Sequence, residues 1–176
     1  LPERAQPMVP APVSQSDAMA AMIERIGLDP SVPLDRLEHM LAMKERLDAQ
    51  AARKAFDLAM SEAKAAIPPI TKNRTVSYGA GKTSYRHEDL AEIARTVDPI
   101  LGAHGLSYRY RTNQNGATVT VTCVVSHRDG HSEETTLSSG VDTSGSKNAI
   151  QAVGSAITYL QRYTLKAALG LAAAED

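Results

Sequence analysis

The sequence predicts an α+β fold: a small curved antiparallel sheet with helices before, between and after its strands. Three observations predict it. From Leu34 to Ile67 there is no Gly or Pro, and leucines alternate with charges. From Leu106 to Leu137 three strand-like segments are separated by NQNG and HRDG, both of which are turn chemistry. The stretch QAVGSAITYLQRYTLKAALGL, Gln151 to Leu171, has helical spacing. The order expected is a β-hairpin, a helix, a three-stranded meander and a C-terminal helix, preceded by a long N-terminal helical extension.

The elements follow in order. Pro2, Pro7, Pro10 and Pro12 break up residues 1–13, which read as a flexible arm. Ser16 and Asp17 can cap a short helix holding Met19, Met22, Ile23 and Ile26, with Gly27 as its stop. Pro30 and Pro33 separate it from the 34–67 run, whose apolar positions include Leu34, Leu37, Leu41, Leu47, Leu58 and Met60. That run is either one helix or two shorter ones with a bend. A single helix extends about 50 Å at ~1.5 Å per residue, longer than a small domain is wide. Residues 14–67 are therefore expected to pack in part against a neighbouring subunit, and residues 68–176 to form the core domain.

Pro68 and Pro69 end the helix, and Thr75 to Tyr78 with Lys82 to His87 flank Gly79 and Gly81 as a hairpin. Glu88 to His104 returns to helical spacing through Leu90, Ile93, Val97, Ile100 and Leu101, with Pro99 as a kink site and Gly105 as the stop. The meander is expected at Leu106 to Thr112, Thr118 to Ser126 and Ser132 to Leu137, and Ser138 to Ser146 reads as a loop. In the last helix, Ile150, Val153, Ile157, Leu160, Thr164, Ala168 and Leu171 form an apolar stripe. Gln151, Ser155, Thr158, Arg162 and Lys166 fall opposite it, with Tyr159 and Tyr163 beside them.

Composition bounds the function. The 176 residues suit one core, and 43% hydrophobic with 22% charged residues is ordinary for a soluble globular chain. No apolar run nears the ~18 residues of a membrane span, and no basic, apolar and cleavable segment marks a secretory leader. Leu1 is not a natural start, so upstream residues are expected. The single cysteine, Cys123, excludes an intrachain disulfide and a cysteine-rich zinc site, and an intracellular location is expected. The net charge is −1, yet residues 72–128 carry eight Lys or Arg against four Asp or Glu. Lys72 and Arg74 open that basic stretch, which points to an anionic partner.

Catalytic chemistry finds little support. GAGKTS at Gly79 to Ser84 looks like a phosphate-cradling loop, but Val76 stands where that pattern needs Gly, and strand-like YRH follows where it needs a helix. A hairpin turn with an exposed Lys82 is the better reading. His127 and His131 share a face only on a helix, whereas Asp129-Gly130 makes a turn, so no zinc site is expected. Cys123 reads as a core-facing strand residue. No enzyme and no cofactor are expected. Strand alternation puts Tyr108 and Tyr110 on one face and Arg109 and Arg111 on the other. All six tyrosines lie from Tyr78 to Tyr163, and single-strand binders combine backbone-tracking cations with aromatic platforms. Half-buried sheet tyrosines are the plain alternative. At the start of the last helix, GSKN offers backbone amides beside Lys147, which suits a phosphate.

These residues resemble the essential-recombination-function (ERF) family of phage single-strand annealing proteins. GKTSYRHEDLAEIARTVDPILGAHGLSY is similar to the family's first block, and KNAIQAVGSAITYLQRYTLKAALGLAAAED to its second, whose GSAITY, RY and LG elements are the most recognisable. The resemblance covers roughly residues 55–176. It implies a curved sheet backed by helices and an oligomeric ring or helical filament. It implies that single-stranded DNA lies in a basic groove and is paired with its complement without ATP, through an annealed duplex intermediate. Lys82, Tyr85, Arg86, Lys147, Arg162 and Tyr163 match the family's basic and aromatic positions. His87 stands where the family often has a second aromatic, and Glu175-Asp176 close the sequence where many members continue into a variable tail. The implied setting is the cytoplasm of a bacterial host, with a host single-strand-binding protein or a phage exonuclease as further partners.

The expected DNA contacts are thus Lys72, Arg74, Lys82, Tyr85, Arg86, Arg109, Arg111, Lys147, Gln151, Arg162, Tyr163 and Lys166. The rival expectation is an RNA-binding or RNA-chaperone module gripping duplex RNA by shape. An ATP-driven recombinase or nuclease built on GKTS and a purely structural assembly protein are the remaining alternatives.

Overall fold

The computed structural model of the chain describes residues 13–76, 85–143 and 146–172. The chain divides into two compact units, Leu1–Ala51 and Ala52–Asp176. The first holds helix α1, Gln15–Gly27, and the start of helix α2, Leu34–Ala66. The cap of α1 is Ser14, not the expected Ser16 or Asp17: its hydroxyl accepts from the Asp17 amide at 3.1 Å. Ser16 is occupied elsewhere, donating to Asp48 at 2.9 Å and accepting from Lys44 at 3.0 Å.

Helix α2 is one continuous helix of 33 residues rather than two shorter ones. Its leucines do not carry the burial. Leu34, Leu41, Leu47 and Leu58 are exposed, whereas Phe56, Ala59 and Ala63 are buried. Positions 56, 59 and 63 share one helical face, and Leu58 lies about 200° round the helix from Phe56 at ~100° per residue.

In the second unit, β1 (Arg74–Val76) and β2 (Tyr85–His87) pair antiparallel, Arg74 opposite His87 and Val76 opposite Tyr85. The connection that contains Gly79, Gly81 and Lys82 lies outside the described residues. Helix α3, Leu90–Ala103, begins two residues later than expected because Asp89 is its cap, accepting from the Glu92 amide at 2.8 Å. Ile93, Val97 and Leu101, spaced by four, are its buried face. Pro99 sits inside the helix without ending it. Gly105 turns the chain at φ 69°, a region that costs other residues ~1–2 kcal/mol.

The three-stranded sheet runs in the order β3-β4-β5, all antiparallel: Leu106–Asn115, Thr118–His127 and Ser132–Gly140. It is a meander, as expected, with longer strands. Asn113, Gln114 and Asn115 join β3, leaving Gly116-Ala117 as the turn, with Gly116 at φ 59°. Ser138 to Gly140, read from sequence as loop, extend β5 because they pair with Thr118 to Thr120, and the Ser138 and Thr120 hydroxyls meet at 2.8 Å.

Helix α4, Ala149–Leu169, opens on a capping box between Asn148 and Gln151 and closes on Gly170 at φ 61°. The expected apolar stripe is displaced by about one position. Leu160 and Thr164 are buried as expected, but the rest of the buried row is Ala152, Ala156, Leu165 and Leu169, and Ile150 is 84% exposed. Val153, Ile157, Ala168 and Leu171 flank that row. The alanines explain it: lacking long side chains, they let the helix backbone approach Val119 and Val121, the sheet residues clustered with Ala156 and Leu160. The other core cluster joins Phe56, Ile70, Ile93, Cys123, Val125, Leu165 and Leu169. Among the described residues no helix is long and apolar enough to cross a membrane.

Candidate functional site

Because one side of α4 is committed to the sheet, its other side is free to form a wall. That wall carries Gln151, Ser155, Thr158 and Arg162, a helical row at intervals of three or four, with Tyr159 beside Thr158. Facing it are Arg74 and Thr75 of β1, His87 of β2 and the start of α3 at Asp89 and Leu90. Ser139 and Gly140 at the end of β5, with Asp142, close one side. Together they enclose a groove of about 900 Å³.

Each cation on the groove is held in place. Arg74 donates to the Asp89 carboxylate at 3.0 Å, and Asp89 in turn caps α3 and donates its amide to the Asn73 side-chain oxygen at 2.9 Å. The Glu92 amide and then Arg74 hold the Asp89 carboxyl below its ordinary range. The Arg162 guanidinium lies 2.7 Å from His87 Nδ1 and donates to the Glu88 carbonyl at 3.4 Å. His87 Nδ1 is itself 2.9 Å from the Glu88 carbonyl, so the ring nitrogen, the guanidinium and that oxygen form one cluster. The Arg162 guanidinium also lies 5.5 Å from the Tyr159 ring centre and 5.1 Å from that of Tyr163, within cation–π range.

Behind Arg162 is a buried ion pair. Glu88 is 4% exposed and accepts a hydrogen bond from Lys166 Nζ. Burial pushes the Glu88 carboxyl up, but the Lys166 bond and the Lys166 and Arg162 charges more than offset it, and the balance lies below the usual glutamate value.

The expected contact residues therefore separate. Arg74, Gln151 and Arg162 come together on the groove. Gln151 arrives partly used: its side-chain oxygen accepts from the Asn148 amide at 3.0 Å. Lys166 is bound to Glu88, and Lys147 to the Asp142 carboxylate. Tyr163 is partly exposed behind Arg162 and does not line the groove. Arg109 and Arg111 lie on the sheet face away from α4, Arg109 donating to Ser126 at 3.2 Å and Arg111 paired with Glu134. Their neighbours Tyr108 and Tyr110 face the core, where burial, with Asp98 close by, raises both phenols. Lys72 precedes β1 and is not on the groove wall. Lys82 and the side chains of Tyr85 and Arg86 lie outside the described residues; the backbones of Tyr85 and Arg86 pair with Val76 and Thr75.

Tyr159 and His87 line the groove and were not among the expected contacts. Tyr159, 53% exposed, takes the place on the groove wall that resemblance gave to Tyr163. Its signal was its place beside Ser155 and Thr158 on the polar side of the helix. His87 has no such signal, since only the fold brings it to Arg162.

A family model described as the ERF superfamily matches residues 56–176, well over half of the chain. The chain belongs to the ERF superfamily. The matched span of this ERF chain begins at Phe56, the first buried residue of α2, and takes in every element of the groove. Membership ties it, in general terms, to phage recombination and the annealing of single strands. Among curated proteins and among solved structures, nothing matches it.

Proposed function

We propose that this ERF chain binds single-stranded DNA along the groove and anneals it to a complementary strand without ATP, as a homo-oligomeric ring or filament. The observation that carries the reading is the convergence of Arg74, Gln151, Tyr159 and Arg162 on one open groove of about 900 Å³ in a chain of this family. Lys82, Tyr85 and Arg86, on the hairpin whose strands supply Arg74 and His87, extend the contact set. Arg109 and Arg111 on the far sheet face, with Lys72, Lys147, Tyr163 and Lys166, complete the proposed contacts. For the last four the support is sequence position rather than a place on the groove wall.

The work asked of these residues is electrostatic and geometric. Cations neutralise phosphate so that two like-charged strands can approach, and base pairing supplies the specificity. Arg162 suits the task because His87 and two tyrosine rings fix its guanidinium before DNA arrives, which lowers the ordering cost of binding. Helices 14–67 are assigned to packing between subunits. The support is the exposure of the apolar side chains of Leu34, Leu41, Met43 and Leu47 along this helix. Residues 68–176 form the proposed annealing core.

The test is an annealing assay with fluorescent complementary oligonucleotides and no nucleotide present. Wild-type chain accelerates annealing, and Arg162→Ala slows it. No acceleration by the wild type overturns the reading, as does a dependence on ATP that vanishes in Lys82→Ala. Preferential binding of duplex RNA in competition would move the function to RNA.

A further inference from the structure

We propose that His87 is a positioning residue, one that aims the Arg162 guanidinium so that a defined edge of it meets phosphate in the groove. The role rests on the single-stranded DNA reading above. Three consecutive residues after the β1 and β2 pairing, His87, Glu88 and Asp89, each hold a different cation. Arg74 donates to the Asp89 carboxylate at 3.0 Å, and Lys166 is bound to the Glu88 carboxylate. Arg162 instead lies 2.7 Å from His87 Nδ1 and donates to the Glu88 carbonyl at 3.4 Å. A carboxylate fixes a cation and cancels its charge. An imidazole and a carbonyl bear no negative charge, so they orient Arg162 and leave its charge for another anion.

The atoms involved make that orientation specific. Both contacts are made through Nη1 of Arg162, and neither uses Nε or Nη2. Those two nitrogens form the edge that can grip a phosphate with two parallel hydrogen bonds. The Tyr159 and Tyr163 rings, 5.5 and 5.1 Å from the guanidinium, limit its tilt. His87 also stands directly opposite Arg74 in the β1 and β2 ladder. Opposed residues project on the same side of such a ladder, and both line the groove. The imidazole thus ties the helix cation to the strand that carries Arg74.

The fold has its own means of holding α4. Glu88 and Lys166 join the helix to the end of β2, and Leu160, Leu165 and Leu169 bury its other side. His87 itself is only partly buried. What the imidazole governs is the far end of a long side chain, which loses less freedom on binding when it is already oriented.

The experiment measures equilibrium binding of a uniform thymidine oligonucleotide across a salt series. The full-length proteins are wild type, His87→Phe, His87→Asn, Arg162→Ala and the two double variants that combine a His87 change with Arg162→Ala. A general loss of structure weakens binding equally with and without Arg162, so the double variants separate positioning from structure. His87→Phe keeps a flat ring without a nitrogen and weakens binding by about three-fold or more. Once Arg162 is Ala, the same change has little further effect on affinity or salt slope. His87→Asn, whose amide puts a polar atom where Nδ1 stands, restores most of the binding.

Wild-type affinity in His87→Phe overturns the proposal. So does an equal loss with and without Arg162, which makes the role of His87 structural. A further fall in salt slope when His87→Phe is added to Arg162→Ala also overturns it, because the imidazole is then a phosphate contact in its own right. His87→Asn behaving as His87→Phe rules out positioning through Nδ1. Failure of the wild type to bind removes the single-stranded DNA reading, and the role of His87 with it.

Discussion

Glu88 and Lys166 form an ion pair beneath the groove, the carboxylate 4% exposed and the ammonium drawn one turn beyond Arg162 to reach it. The sequence separates them by 78 positions, yet their contact fixes how α4 sits against the strand that carries His87. Taking away one partner of such a pair leaves a buried charge without compensation. Lys166→Met is therefore expected to destabilise the fold by roughly 3 kcal/mol, read as a lower midpoint in urea unfolding. Glu88→Gln, which keeps the shape and removes the charge, is expected to cost less.

The same pair sets a pH dependence. The folded-state pKa of Glu88 lies below the ordinary value of 4.5, so on acidification the unfolded chain takes up this proton first. The pair's contribution is complete above pH 4.5 and is lost as pH falls through the lower, folded value. Wild-type stability is expected to fall more steeply than that of Glu88→Gln in that window. Parallel curves from urea titrations at several pH values would contradict this.

Arg162 separates charge from geometry. Each phosphate neutralised adds ~0.7 to the log–log salt slope for single strands. Arg162→Ala is expected to weaken binding and to lower the slope by about that amount. Arg162→Lys keeps the charge but loses the planar fork that spans His87 and the tyrosine rings. It is expected to preserve the slope while binding less tightly. Anisotropy titrations across a salt series read both quantities.

How far the sequence reached depends on which force decided each feature. The meander, the helices and the alternation of Tyr108 and Tyr110 with Arg109 and Arg111 follow from local period and turn chemistry, and all were legible. The packing face of α2 was not legible, because its leucines outnumber its buried residues. The face that packs is instead set by one Phe56 and two alanines, whose small size is useful only against a neighbour that the sequence does not display. The polar row of α4 was legible for the same periodic reason. What lay beyond reach was the pairing of cations with Glu88 and Asp89, since each joins two different elements of the fold. Lys166 and Arg162 look alike on a helical wheel, and only the position of Glu88 distinguishes them.

The exposed residues of the first half of α2 give a prediction about assembly. If Leu41 and Leu47 are covered by a neighbouring subunit, replacing both with Glu buries charge in that contact and disfavours it. Both are exposed within the chain, so the monomer's own fold is expected to be little affected. The double variant should show a smaller mass by light scattering with an unchanged circular dichroism spectrum. An unchanged mass would assign the assembly contact to another surface.

Cys123 supplies a probe of the core that needs no mutation. It is the chain's single cysteine, fully buried on β4 among the residues that join the sheet to α2, α3 and α4. Burial pushes its thiol up to about 11, so at neutral pH the reactive thiolate is scarce even before access is considered. A thiol reagent should therefore label the native chain only as fast as this core opens, at a rate that stops rising once reagent is in excess. Leu165→Ala removes a fully buried neighbour in the same cluster and is expected to cost about 2–5 kcal/mol, with a matching acceleration of labelling. Rapid labelling of the wild type, proportional to reagent at all concentrations, would mean that Cys123 is accessible and that the core is not closed as described.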